Sequence, residues 1–326
     1  MSAAASAPDA TPAPRVSVVI PNWNGAAVLP GCLDALAAQT FAPFEVVVVD
    51  NGSTDGSADL LDAWSPPAGV STRTVRLPEN IGFAAAVNRG VEAGRGAFVA
   101  FLNSDAEPAP DWLAVLLARF DARPDIGFCA SKLVTHADPS VLDTAGHGFT
   151  TAGAGYARLR WAPDDARAAE EREVFGACAA ASIYRREALD RAGPLDEAFF
   201  CYYEDLDLDL RLQLAGVRCL YVPAAVVRHR VSATSGGGRS AFIVYHSSRN
   251  QEWVYAKGMP GRLFWTRLPA HLLYNLGRFA VYLLKGRGWA FLRGKAAALR
   301  GLPRAWRQRA AVQATRTVSV SAFAAR

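Results

Sequence analysis

Glu45-Val46-Val47-Val48-Val49-Asp50-Asn51-Gly52-Ser53-Thr54-Asp55-Gly56 decides the fold class. Four valines in a row offer no polar face to water, so the run reads as a strand covered on both sides. The Asn, Gly, Ser and Asp residues after it are turn formers and stop it. Comparable runs lie on either side: Val16-Ser17-Val18-Val19-Ile20, stopped by Pro21-Asn22-Trp23-Asn24-Gly25, then 72–77, then Phe98-Val99-Ala100-Phe101-Leu102. Helical stretches at about 28–39, 57–64 and 83–93 separate them. Apolar strands alternating with helices predict an α/β chain with a Rossmann-type, mostly parallel sheet flanked by helices. Sheets of this kind bind ligands at the carboxyl ends of their strands.

The polar residues at those ends are therefore the first candidates. Strand one ends in Asn22, Trp23 and Asn24, strand two in Asp50 and Asn51, and the run at 98–102 in Asn103-Ser104-Asp105. Asp50 could accept a hydrogen bond from a pyrimidine N–H, and Asp105 could ligate a hard divalent cation. Both stretches are also ordinary turn chemistry, and Asn80 and Asn88 could be caps or surface residues. No GxGxxG follows the first strand and no Walker loop occurs, which argues against dinucleotide oxidoreductases and P-loop enzymes.

A second focus is Phe199-Phe200-Cys201-Tyr202-Tyr203-Glu204-Asp205-Leu206-Asp207-Leu208-Asp209. Four acids in six residues follow an aromatic run, and apolar surroundings raise a carboxyl pKa toward general-base range. A helix starting there puts Asp205 at its N-terminal end and Asp209 one turn on, on the same face. Acids also favour helix N-termini for capping and dipole reasons alone.

The chain has 326 residues, 51% hydrophobic and 20% charged, enough for one large or two small domains. Five scattered cysteines without a CxxC pair favour a reduced compartment and disfavour zinc. Residues 1–14 carry no secretory signal and read as a disordered lead-in. From Gly258 onward there are thirteen Lys plus Arg and no acid; with +5 overall, the first 257 residues carry about −8.

In order, these blocks resemble the family 2 glycosyltransferases of the GT-A fold, most closely the bacterial rhamnosyltransferase-like members that build cell-surface polysaccharide. The resemblance rests on Val18–Gly25, Val48–Ser57, Asn80-Ile81-Gly82-Phe83-Ala84 with Asn88 and Gly90, Leu102–Asp105, and Phe199–Leu208. It implies a nucleoside-diphosphate sugar donor, dTDP-rhamnose or a UDP-sugar, and Mg²⁺ or Mn²⁺. It implies donor contacts at Pro21, Asn22, Asn24, Asp50, Asn51, Asn80, Phe83, Asn88, Asn103 and Ser104, with Asp50 on the pyrimidine. Asp105 matches the last acid of the family's Asp-x-Asp motif, whose first position here is Asn103. His229 matches a histidine that completes the metal site in some members. Asp205, beside Glu204, matches the catalytic base. The implied reaction is inverting transfer to a glycan or polyprenyl-linked acceptor, at the inner face of the cell membrane.

The expected division is 15–130 for donor binding, 131–257 for acceptor and catalysis, and 258–326 for a basic amphipathic helical tail. The segment 131–172 offers acceptor-contacting loops. The small residues at 174–181 allow close backbone approach or tight packing. Arg185-Arg186 could face phosphate or simply be exposed, and the glycine loop at 234–240 with Arg239 could bind anions or be a plain loop. In the tail, aromatic and aliphatic clusters alternate with cations, and no apolar run reaches the ~18 residues of a spanning helix. Such segments suit an anionic membrane interface, or they pack on the body or a second subunit. Nucleic acid is disfavoured for want of a binding motif. Two other functions fit less well: a sugar-phosphate nucleotidyltransferase, whose basic Gly-rich loop after strand one is missing, and a non-catalytic membrane-bound sugar-binding protein.

Overall fold

The valine run becomes β2 (Phe44–Asn51), buried along its whole length in the computed structural model, which describes residues 13–150, 152–231 and 240–324. The expected glycine loop and all but the last residues of the lead-in lie outside these. Further strands are β1 (Val16–Asn22), β3 (Val70–Leu77), β4 (Phe98–Leu102), β5 (Ile126–Thr135), β6 (Arg172–Val174), β7 (Ala181–Arg185) and β8 (Arg218–His229). Their order across the sheet is β6-β8-β5-β7-β4-β1-β2-β3. The four strands predicted from the valine pattern form a parallel block, β4-β1-β2-β3. β7 then runs antiparallel between β4 and β5, while β8 is parallel to β5. One sheet thus crosses the expected boundary at residue 130, and the two halves share a core.

Both faces are covered except along the edge strand β3, none of whose residues is buried. On one side α1 (Leu29–Ala37) and α4 (Trp112–Ala122) bury Leu33, Leu36, Trp112, Leu116 and Phe120 against the sheet. Each such large side chain contributes about 1.5–3 kcal/mol by leaving water. Trp112 is fully enclosed, and its indole N–H donates to Ser131 Oγ at 2.9 Å. On the other side α3 (Phe83–Ala93) and α5 (Glu204–Leu214) bury Ala84, Val87, Leu208 and Leu212.

Register sets the site. Asn22 pairs with Asp50, so β1 and β2 end level. Ala181 pairs with Leu102, and the Asn103 N–H donates to Ala180 O at 3.0 Å, which lays 178–180 beside the Asn103-Ser104-Asp105 turn. The far end of β8 pairs with the short strand Ala106–Pro108, His229 opposite Ala106, which carries His229 to Asp105.

Three long helices, α6 (Ala241–Gly258), α7 (Gly261–Leu284) and α8 (Gly288–Ala314), precede a short last one, α9 (Val320–Ala324). α8 lies along α6, with Trp253 donating to Ala298 O and Arg304 paired with Asp196. Glu252 of α6 collects His271 and Asn275 from α7 and Lys295 from α8. The tail therefore packs on the body by one face. Its other face, including most of α7, stays exposed. No helix among the described residues is long and apolar enough to cross a membrane.

Candidate functional site

A cleft of about 1400 Å³ runs across the strand ends, and Asp105 and Asp205 both line it. Each has an imidazole beside it, and each imidazole is held from behind by a buried carboxylate. His229 Nδ1 lies 2.8 Å from Asp143 Oδ2, and its Nε2 lies 3.3 Å from Asp105 Oδ1. His147 Nδ1 lies 2.8 Å from Asp209 Oδ2, and its Nε2 lies 3.9 Å from Asp205 Oδ2. A carboxylate behind an imidazole fixes the ring's orientation and the role of its far nitrogen.

The local fold explains how these groups get there. Gly176 passes so close to α5 that a Cβ on it would lie 2.0 Å from the Asp209 carboxylate. That approach lets Asp209 accept from the Ala177 N–H at 3.0 Å, while Gly176 O accepts from the His147 N–H at 2.8 Å. Close backbone approach, one of two readings of the small-residue run, is the one realised. The four acids of α5 separate by environment. Asp207 is buried between Arg211, at 2.9 Å, and Lys257, at 2.7 Å. Asp209 is fully buried, and burial pushes its carboxyl up to about 6 against the pull of His147. Burial, reinforced by the Asp205 charge, raises Glu204 well above the ordinary range. Glu204 and Asp205 both line the cleft, and Asp205 Oδ2 accepts from the Ala179 N–H at 3.3 Å.

Burial alone would lower both histidines. Instead the Asp205 charge and the Asp209 bond raise His147 well above its usual value, and bonds to Asp105 and Asp143 lift His229 to about 10.

The turn before Asp205 is strained. Phe200, Tyr202 and Tyr203 have φ of 64°, 69° and 71°, where side chains larger than glycine are disfavoured. α6 holds it there. The buried Asn250 amide donates to the carbonyls of Phe199, Cys201 and Tyr202 at 3.0, 3.0 and 2.6 Å, and Arg249 donates to Phe199 O at 2.7 Å. Gly82, at φ 93°, lies against this turn; a Cβ there would meet Phe200 O at 2.7 Å.

Pro21, Asn22, Asn51, Asn80, Phe83, Asn103 and Ser104 line the cleft as expected. His229 Nε2 has Asp105 Oδ1 at 3.3 Å, while Asn22 Oδ1 and Asn103 Oδ1 are buried in the cleft without a hydrogen-bond partner among the described residues. Such atoms need a ligand, water or ion. Carboxylate, imidazole and amide oxygen together suit a divalent cation near Asp105. Asn51 and Asn80 spend much of their capacity on the 80–82 turn: Asn51 donates to Asn80 Oδ1 at 3.0 Å and accepts from the Ile81 N–H at 3.0 Å. Asp50 is buried and is not among the residues lining the cleft; its Oδ1 accepts from the Ser53 N–H at 3.3 Å.

Three expectations are corrected. Asn88 does not line the cleft; its amide donates to Leu195 O at 2.9 Å and Glu197 at 3.1 Å and accepts from the Leu195 N–H at 2.9 Å, tying α3 to the loop before α5. Asn24 accepts from the Thr54 N–H at 2.8 Å, so its side chain locks two loops together rather than meeting a donor. Arg185 and Arg186 are neither phosphate ligands nor free surface. Arg185 donates to Ile126 O and Phe120 O, both at 2.9 Å, and Arg186 to Gly96 O at 2.7 Å and Gly94 O at 3.0 Å.

Residues 17–193 match the family described as glycosyl transferase family 2. The chain belongs to that family. The O-antigen biosynthesis protein RfbC of Myxococcus xanthus is 30% identical over 76% of this chain, and protein y4gI of Sinorhizobium fredii is 32% identical over 68%. These alignments take in only 20% and 25% of the relatives' own lengths. Among solved structures, a mannosyltransferase from Pyrobaculum calidifontis in complex with GDP-Man and Mn²⁺ superposes with a TM-score of 0.56 at 21% identity, over 98% of this chain and 88% of that one. The likeness establishes a GT-A-type fold.

Within this family 2 domain, sequence reading missed His147, Asp143 and Asn250. The first two sit in an irregular Gly- and Thr-rich stretch, where a lone His or Asp carries no periodic signal. From the segment 131–172, Tyr156, Arg160 and Trp161 line the cleft.

Proposed function

We propose that this chain is an inverting glycosyltransferase, moving a sugar from a nucleoside-diphosphate sugar to a hydroxyl of a glycan or lipid-linked acceptor. The observation that supports it is the placing of Asp105 and Asp205 along one cleft, each backed by its own histidine–aspartate pair. The donor base lies toward Asp50, its sugar and phosphates toward Asn22, Asn103 and Asp105. Asp105 and His229 would hold a divalent cation, Mg²⁺ or Mn²⁺, which when bound neutralises charge on the departing diphosphate.

Asp205 accepts the proton of the acceptor hydroxyl. The oxygen's electron pair forms the new bond to C1 as the C1–O bond to phosphate breaks, and the diphosphate leaves with that pair. A single displacement inverts the anomeric centre. By resemblance the donor is dTDP-rhamnose and the product a cell-surface polysaccharide. The basic tail holds the enzyme on the inner face of the cell membrane.

The test is a panel of nucleotide sugars with Mn²⁺ or Mg²⁺, read as release of nucleoside diphosphate. Metal-dependent release from one or a few donors supports the reading. Incorporation of nucleotide from an NTP into a sugar phosphate, with no release from any nucleotide sugar, would replace it with nucleotidyl transfer.

A further inference from the structure

His147, Cys178 and Asp205 meet in the cleft from three separate parts of the chain. His147 opens the short strand His147–Phe149, Cys178 lies in the connection from β6 to β7, and Asp205 lies in the first turn of α5. A ring nitrogen of His147, the Cys178 Sγ and a carboxylate oxygen of Asp205 lie within 4.8 Å of one another. All three residues line the cleft. Their order in the chain follows no metal motif, so cysteines without a CxxC pair give no sign of the cluster.

The group is held as a ligand set is held. His147 Nδ1 is committed to Asp209 at 2.8 Å, and Asp209 in turn accepts from the Ala177 N–H at 3.0 Å. That leaves Nε2 toward Asp205, at 3.9 Å from its Oδ2. A buried carboxylate behind an imidazole is how ligating histidines are oriented and their basicity raised. Asp205 is oriented by backbone: Oδ1 accepts from the Leu206 N–H at 2.8 Å and Oδ2 from the Ala179 N–H at 3.3 Å, and each oxygen keeps a second lone pair. The Cys178 thiol is in hydrogen-bond contact with His147. Cys32, Cys129 and Cys219 are buried in the core, whereas Cys178 is half-buried at the cleft.

The donor types choose the ion. Thiolate, imidazole and carboxylate together suit Zn²⁺, a borderline-soft ion, while Mg²⁺ and Mn²⁺ prefer the oxygen-rich surroundings of Asp105. Tetrahedral zinc, with bonds of about 2.0–2.3 Å, sets its donors roughly 3.3–3.7 Å apart. The three side chains therefore need to draw in by about an ångström at most. Cys178 sits in irregular backbone and has one side-chain torsion to turn, which supplies that movement. Three protein donors leave a fourth position open to the cleft.

We propose that His147, Cys178 and Asp205 form a zinc site, separate from the hard-cation site at Asp105 and His229, and that zinc bound there shuts the active site. Loading exchanges the thiol proton of Cys178, and a proton on His147 Nε2, for the metal; both protons go to solvent. The Asp205 oxygen that donates its pair to zinc no longer takes a proton from a hydroxyl. Only this shut-off rests on the glycosyltransferase reading; the metal site itself does not.

The binding test uses no turnover, so its outcome separates from that of the donor assay. Co²⁺, which takes the same ligands as zinc and reports them in its spectrum, is titrated against the full reduced chain in excess Mn²⁺. A thiolate-to-cobalt charge-transfer band should grow to one equivalent and be bleached by Zn²⁺, with no Mn²⁺ released. Cys178→Ser should lose the band and weaken zinc by about 100-fold or more, and Cys201→Ser should keep both. Should Cys178→Ser not fold, iodoacetamide labelling of the unaltered chain decides: zinc should protect Cys178. A band that persists in Cys178→Ser, or equal labelling of Cys178 with and without zinc, would overturn the site. Release of Mn²⁺ in step with zinc binding, without the band, would overturn it in favour of Asp105 and His229. In the donor assay, one equivalent of zinc over excess Mn²⁺ should lower nucleoside-diphosphate release by about tenfold or more. Unchanged release with the band present would overturn the shut-off.

Discussion

Nε2 of His147 lies 3.9 Å from Oδ2 of Asp205, and the other nitrogen of the same ring lies 2.8 Å from the fully buried Asp209. The ring is thereby held in one orientation beside Asp205. His147 is a positioning residue, and its effect should be separable from simple loss of structure. His147→Gln should lower kcat by about 10- to 100-fold, in the range of an oriented acid–base partner, with little change in the donor KM. A loss of rate accompanied by a raised donor KM and a lowered unfolding midpoint would make the residue merely structural.

Asn250 holds three carbonyls of the strained 199–203 turn with one amide group. Asn250→Ala should cost about 2–3 kcal/mol of stability, from unpaired buried carbonyls and a small cavity. Asn250→Asp should be worse than Asn250→Ala despite its near-identical shape, since a carboxylate can only accept and would face three acceptors. Urea unfolding of both variants checks the order; a more stable Asp variant would mean that the amide is not the clamp.

Glu252 gives a pH signature to the tail. Burial alone would raise it, but the bond to His271 and the Lys295 charge depress it to about 2 from the ordinary 4.5. A carboxyl depressed in the folded state stabilises most above its unfolded value and loses that contribution as pH falls through the folded one. A shift of this size corresponds to about 3 kcal/mol, at 1.36 kcal/mol for each tenfold change. Glu252→Gln should therefore be about 2–3 kcal/mol less stable near pH 7, and the gap should close progressively between pH 4.5 and pH 2. A gap independent of pH would assign Glu252 to packing alone.

Asp143 stands behind His229 as Asp209 stands behind His147. Carboxylates that orient a ligating imidazole usually matter by 10- to 100-fold in metal affinity, and Asp143→Asn should weaken Mn²⁺ binding by about that factor. Titration of free Mn²⁺ by electron paramagnetic resonance reads this directly. Unchanged affinity in both Asp143→Asn and His229→Gln would remove His229 from the metal site.

Much of this was legible in the chain. The valine run at 45–49 and the apolar runs beside it can only be strands hidden on both faces, so the parallel block followed from composition. α3 was bounded correctly because Gly82 and Gly94 bracket one apolar period. What sequence could not give was pairing at a distance. Asn88 looks like the other asparagines near strand ends, yet its partners are Leu195 and Glu197, across the fold. His147 and Asp209 meet only because Gly176 lets the backbone come in against α5. Such contacts have no local period or turn signature. The antiparallel insertion of β7 was hidden because 181–185 is short and mixed, and both its neighbours, β4 and β5, lie far off in the sequence.

The central claim is that Asp205 is the base of a transfer carried out across the cleft it shares with Asp105. Asp205→Asn keeps the size and most hydrogen-bonding geometry of the side chain and removes its basicity. Transfer from the preferred nucleotide sugar, measured alongside nucleoside-diphosphate binding in the same preparation, should fall by at least about 10²-fold while binding is unchanged. Turnover at the unaltered rate, with the nucleotide bound as before, would contradict the account.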